Sequence, residues 1–155
     1  MSASPKKKLI EGLIAAFRAG GNQDTAFENL AAERLGVNRN DLHCLNAIEN
    51  AGGLTAGELA AAVGLTSGAV TGVVDRLERA GFARRVADPD DRRRVKIEVT
   101  PEFYARAARI WGPLAAEWEK SLADRFTAAE LTRIGEFLQL TTEVGKRHLD
   151  RLAND

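Results

Sequence analysis

The apolar positions of this chain change period along its length. Residues 5–19 repeat at helical spacing, with Leu9, Ile10, Leu13, Ile14 and Phe17 on one side. Gly20-Gly21 interrupts the pattern as a kink or a boundary, and Thr25 to Leu35 resumes it up to Gly36. Asn38 or Asn40 caps a further helix from Asp41 to Glu49, which Ala51-Gly52-Gly53 ends. Thr55 and Glu58 then form a capping box before a small apolar face of Leu59, Ala60, Ala62 and Val63. Gly64 is a left-handed stop, Leu65 anchors the turn, and Thr66 caps the next helix. That helix has a clean stripe of Val70, Val73, Val74, Leu77 and Ala80, closed by Gly81. The period then falls to two. Phe82 to Ala87 reads as a strand, and Val95, Ile97 and Val99 alternate as a second one.

Helical spacing returns at Thr100-Pro101-Glu102, which supplies a cap, a proline at the first helical position and an acid near the dipole. Phe103, Ala107, Ile110, Trp111, Leu114 and Trp118 line one face, and Gly112-Pro113 predicts a bend. Thr127 and Glu130 form a second capping box. The last helix carries Leu131, Ile134, Leu138, Thr141, Gly145, His148 and Leu152 along one side. Two short helices, a tight turn and a charged hairpin build a winged helix-turn-helix, with one helix for a groove of DNA and one loop beside it. The fold class is therefore mainly α, with a small β-hairpin wing. The long terminal helices have apolar faces with little core of their own to cover them, which points to a dimerisation unit. The division is residues 1–36 and 101–155 for that unit, and 37–100 for the DNA-binding module.

The candidate chemistry lies between residues 66 and 96. Gly68, Thr71, Gly72, Asp75 and Arg79 face away from the apolar stripe, so the first turns of that helix are almost bare. A bare N-terminal turn approaches a DNA backbone closely, and its N–H groups meet a phosphate. Asp88-Pro89-Asp90-Asp91 is turn chemistry, and Arg92, Arg93 and Arg94 follow it. A flat, weakly hydrated guanidinium suits a narrow minor groove. Asp91 is expected to position the wing by holding one arginine in a bidentate pair.

Composition narrows this picture. The 155 residues carry no formal net charge, so attraction to DNA must come from local clustering. Residues 84–96 provide it, with Arg84, Arg85, Arg92, Arg93, Arg94 and Lys96 against Asp88, Asp90 and Asp91. No signal peptide or membrane-length apolar run is visible, and the single cysteine fits a reducing compartment, so a cytoplasmic location is expected. Cys44 sits on an apolar helix and reads as a buried, inert thiol. Two histidines and one cysteine are too few for a metal site, and no phosphate loop, nucleophile elbow or zinc motif marks an enzyme. No cofactor is expected.

The stretch LTAGELAAAVGLTSGAVTGVVDRLERAGFARR and the wing DPDDRRR followed by VKIEVT resemble the MarR family of bacterial transcriptional regulators. The resemblance covers nearly the whole chain in element order. It implies a two-fold dimer built by interlocked terminal helices. It also implies recognition-helix contacts to double-stranded DNA at Ser67, Gly68, Ala69, Thr71, Gly72, Asp75 and Arg76. The wing Asp-Arg-Arg pattern falls on Asp91, Arg92 and Arg93 and points to Arg92 or Arg93 in the minor groove. Gly72 departs from the long polar or basic side chain that relatives often have near that position, which favours shape and wing contacts. A small aromatic ligand is implied as well, with Phe17, His43, Trp111 and Trp118 as candidate pocket residues, although aromatic residues at helical spacing more often form core. The resulting expectation is a sequence-specific, ligand-responsive repressor that binds a pseudo-palindromic operator as a homodimer. The alternatives are an architectural or protein-interaction winged-helix protein, and a redox sensor acting through Cys44.

Overall fold

A computed structural model describes residues 4–88, 91 and 93–154. The elements are α1 (Pro5–Leu35), α2 (Arg39–Ala51), β1 (Leu54–Thr55), α3 (Ala56–Val63), α4 (Ser67–Arg79), β2 (Ala83–Ala87), β3 (Val95–Val99), α5 (Pro101–Arg125) and α6 (Ala128–Asn154). The chain divides into two compact units, residues 1–110 and 111–155. No single described helix is long and apolar enough to cross a membrane.

The first unit owns the core. Leu42, Cys44, Leu45 and Ile48 of α2, Leu59 of α3, and Val70, Val73, Val74 and Leu77 of α4 are buried together with Phe82, Ile97 and Phe103. The α4 stripe therefore packs inward as its spacing requires, except that Ala80 is the exposed C-cap. Local chemistry sets the element ends. Asn38 is the cap of α2, its side chain accepting the Asp41 N–H, and Asn40 lies inside the helix. Gly36, Gly52 and Gly64 close α1, α2 and α3 in left-handed conformation. Gly20-Gly21 neither ends nor divides α1, which runs unbroken through both residues. Glycine costs a helix about 1 kcal/mol relative to alanine but keeps its N–H, so it weakens the hydrogen-bond ladder without interrupting it.

The sheet has three antiparallel strands in the order β1-β3-β2. The β2–β3 hairpin pairs Arg85 with Ile97 and Arg84 with Glu98. Strand β1, in which Leu54 pairs with Ile97, is an addition that no alternation in the sequence signals, because it is only two residues long. Phe82 lies just outside β2. Its ring meets that of Phe103 edge-on at 5.7 Å, and the Arg106 guanidinium sits 5.4 Å from its centroid. Thr100 joins the pieces by donating to the Gly81 carbonyl at 2.6 Å and accepting the Phe103 N–H at 3.3 Å.

The second unit comprises the end of α5 and all of α6. Thr127 and Glu130 form the expected reciprocal box at the start of α6. Among the described residues of this unit none is fully buried. Leu149 and Leu152 are 69% and 76% exposed.

Candidate nucleic-acid interface

Two features of the first unit face solvent together in the sequence order that a winged helix-turn-helix needs. The first is the start of α4. Thr66 caps it, its hydroxyl accepting the Ala69 N–H at 3.3 Å. Ser67, Gly68, Ala69 and Thr71 are exposed, and Gly72 is half-buried. The Thr71 hydroxyl donates to the Ser67 carbonyl at 3.0 Å, so it can meet a partner only as an acceptor. The first-turn N–H groups of any helix lack intrahelical acceptors, and here they emerge among small side chains.

The second feature is the wing. Its base is closed by the Asp88 N–H donating to the Arg94 carbonyl at 2.9 Å, and the Arg94 N–H donates to the Asp91 carbonyl at 2.8 Å. Asp91 Oδ1 accepts the Arg93 N–H at 3.0 Å. Asp91 thus holds Arg93 by the backbone, and the expected guanidinium pair is made by neither Arg93 nor Arg94. Arg92, together with Pro89 and Asp90, lies outside the described residues. Lys96 reaches the buried Asp88 carboxylate at 3.1 Å. Arg94 Nη2 donates to Glu58 Oε1 at 2.7 Å, which ties the wing to the first turn of α3.

Most of the basic cluster is thus engaged within the fold. Arg84 pairs with Glu98 across the hairpin at 3.0 Å. Arg85 pairs with Glu78 and, at 2.8 Å, with Asp75, and the Asp75 hydrogen bond is the main cause that raises its pKa. Arg76 pairs with Asp41 of α2 at 2.6 Å, which likewise raises the guanidinium pKa. Arg93 is exposed, and its guanidinium makes no ion pair with a described residue.

Glu58 is the hinge of this arrangement. It accepts the Thr55 N–H at 2.8 Å and the Thr55 hydroxyl at 2.9 Å in addition to Arg94. The Thr55 backbone bond is the largest cause that holds its carboxyl below the ordinary value of 4.5, followed by the hydroxyl, with Arg94 adding less. A depressed carboxyl contributes stability that is present above its unfolded value and lost as pH falls through its folded value. The melting difference between the wild type and Glu58→Gln is therefore expected to be constant from about pH 7 to 5 and to shrink below about pH 4.5. Glu130 is depressed in the same way by Thr127, so the comparison with Glu58→Gln is what isolates the wing tether. A difference that persists undiminished at pH 3 would show that ionisation of Glu58 does not matter.

The model of the MarR family matches residues 37–95, which run from α2 to the start of β3. A helix-turn-helix-type transcriptional regulator of Bacillus subtilis (strain 168), YcgE, is 35% identical over 147 residues, 95% of each chain. The chain belongs to the MarR family. It is a DNA-binding transcriptional regulator of the winged-helix type. Solved MarR structures share its fold. A MarR family protein from Bacillus stearothermophilus gives a TM-score of 0.68 at 19% identity over 93% of this chain and 99% of that one. A point mutant of S. aureus MepR bound to an oligodeoxyribonucleotide gives 0.56 at 21% identity, over 85% of this chain and 96% of that one.

Within this MarR chain the four aromatic and histidine candidates do not behave as one group. Phe17 and Trp118 are 47% and 62% exposed, so neither is core within a single chain. His43 is exposed and lines a cleft of about 240 Å³ with Glu28, Arg39, Asn40, Leu42 and Asn46. Trp118 lines another of about 350 Å³ with Leu114, Glu117, Ser121 and Leu122. The half-buried Trp111 belongs, like Trp118, to the second unit, while Phe17 and His43 belong to the first. Cys44 is fully buried, and burial followed by the nearby Asp41 carboxylate pushes its thiol pKa up. That shift disfavours the thiolate on which redox sensing depends.

Sequence reading missed the ties that organise the interface. Asp41–Arg76 and Glu58–Arg94 join residues 35 and 36 positions apart. The only local trace of either is Glu58, whose capping role was visible while its second partner was not.

Proposed function

We propose that the protein is a repressor that binds a pseudo-palindromic operator as a homodimer, with α4 in the major groove and the wing in the adjacent minor groove. The observation that carries this reading is Arg93. It projects from a wing whose other described cations are paired, beside a helix whose first turns are exposed and bare. Ser67, Gly68, Ala69 and Thr71 are the α4 contacts on this reading. Asp75, Arg94 and Asp91 shape the surface that Arg93 uses. Residues 37–100 form the DNA-binding module.

The dimer is assigned to residues 1–36 and 101–155. Leu9, Leu13 and Phe17 of α1 expose one apolar face and Leu149 and Leu152 of α6 another, and water favours neither. A second copy of the chain covers such a face symmetrically, and two-fold symmetry places two α4 helices about one helical turn of DNA apart. The oligonucleotide bound to MepR supports the same use of the shared fold. Occupying an operator is the simplest route to repression.

Arg93→Ala is expected to weaken binding to every sequence that the wild type binds by a similar factor, about 5- to 100-fold. The slope of log affinity against log salt should fall by about one. Unchanged affinity and salt slope would remove the wing from the interface. A small aromatic acid is the ligand class assigned to the switch. It should quench the emission of Trp111 and Trp118 and lower operator affinity, and reciprocal linkage requires operator to weaken the ligand by the same factor. Quenching with no change in operator affinity would separate the ligand from regulation.

A further inference from the structure

The family resemblance implied DNA contacts at Gly72 and Arg76, and the fold joins these two residues to Asp41 of α2. Gly72 and Arg76 are one turn apart on α4, so they share a face. Arg76 turns toward α2. Its Nε donates to Asp41 Oδ2 at 3.2 Å and its Nη2 to Oδ1 at 2.6 Å. The Asp41 side chain is 4% exposed, whereas that of Arg76 is 44% exposed. One edge of the guanidinium is therefore fixed on a buried carboxylate, and the rest reaches solvent.

A guanidinium has five N–H donors in one rigid plane. The two bonds to Asp41 use the Nε–H and one Nη2–H. Asp41 leaves three donors over, and of these the second Nη2–H and one Nη1–H make up the end-on fork. Nη1 stands 3.7 Å from the position that a Cβ on Gly72 would occupy. The guanidinium thus passes over bare backbone, with no side chain at residue 72 to cover it.

We infer that Arg76, braced by Asp41 and left uncovered by Gly72, reads a guanine in the major groove of each half-site. The inference rests on the proposed entry of α4 into that groove. The end-on fork matches the two guanine acceptors, O6 and N7, which no other base presents together. The brace matters because an unrestrained arginine loses rotamer freedom when it binds, and Asp41 restricts that freedom beforehand. Asp41 also offsets the positive charge, which reduces attraction to phosphates of any sequence and leaves the directional contact dominant. Arg76 is then the base-contacting residue, and Asp41 is a positioning residue that acts through it.

The test uses the full-length protein and duplexes selected from a random pool. Guanines are replaced one at a time by 7-deazaguanine, which lacks the N7 acceptor and keeps its Watson–Crick pairing. The wild type should lose about 5- to 100-fold at one guanine per half-site, the range for a bidentate arginine contact. Arg76→Met combined with Asp41→Asn removes the guanidinium and leaves no unpaired buried charge. It should bind natural and modified duplexes equally at that guanine and respond as wild type at the others. Asp41→Asn alone should reduce discrimination at the same guanine only, and it decides the question if the double variant does not fold. A purely structural α2–α4 tie would instead shift every position together. If the double variant retains the wild-type response at every guanine, the inference fails and the proposed function stands. A wild type that selects no sequence overturns both.

Discussion

Deleting residues 127–155 is expected to leave no stable folded protein. Light scattering of the intact chain should report about twice its 16.8 kDa, and the truncated chain should aggregate or unfold rather than settle as a monomer. The cause is the distribution of burial. The second unit has no fully buried residue among those described, and α1 exposes Leu9, Leu13 and Phe17. Removing α6 removes the cover that a second copy would bring to these faces. A milder variant separates association from folding. Leu149→Asp with Leu152→Asp alters two exposed positions of α6. It should dissociate the dimer and weaken operator binding by about 100-fold or more, because the second half-site is then no longer bound at high effective concentration. A truncated chain that stays monomeric, folded and tightly bound to operator would refute the assignment of α6.

Phe103→Ala is expected to destabilise the first unit by about 3–5 kcal/mol, the range for removing a buried phenylalanine. Phe103 is 2% exposed and meets Phe82 edge-on at 5.7 Å. It also takes the Thr100 cap through its N–H, so the truncation empties the point where α5 leaves the sheet. In a chain of this size the loss should lower the melting temperature by roughly 10 °C. Leu9→Ala, at an exposed site of α1, serves as the control and should leave the protomer's packing intact. Equal effects of the two changes would show that the Phe82–Phe103 contact does not anchor α5.

What could be read from the sequence follows the range of the interactions. The Thr55–Glu58 and Thr127–Glu130 boxes, the Thr66 cap and the left-handed glycines are decided within about five residues, and the pattern carries them in full. The stripe Val70, Val73, Val74, Leu77 is legible because one amphipathic helix must bury one face. Ala80 departs from it because the helix ends there, and Gly20-Gly21 departs from its expected break because a glycine pair weakens a helix without stopping it. Interactions between distant elements left no periodic trace. The run of arginines identified the wing, but not that Arg94 is tied to Glu58 or that Asp91 acts on the Arg93 backbone. Likewise, the pattern around Gly72 showed a missing side chain, and only the fold brings the Arg76 guanidinium across it.

The central claim is that two copies of this chain read a symmetric DNA site through α4 and the wing. Selection of bound duplexes from a random pool by the full-length protein tests it directly. The expected product is an enriched inverted repeat whose half-sites are centred about 10 base pairs apart, with two chains per duplex. A single unsymmetrical site bound by one chain, or no enrichment over the starting pool, would contradict it.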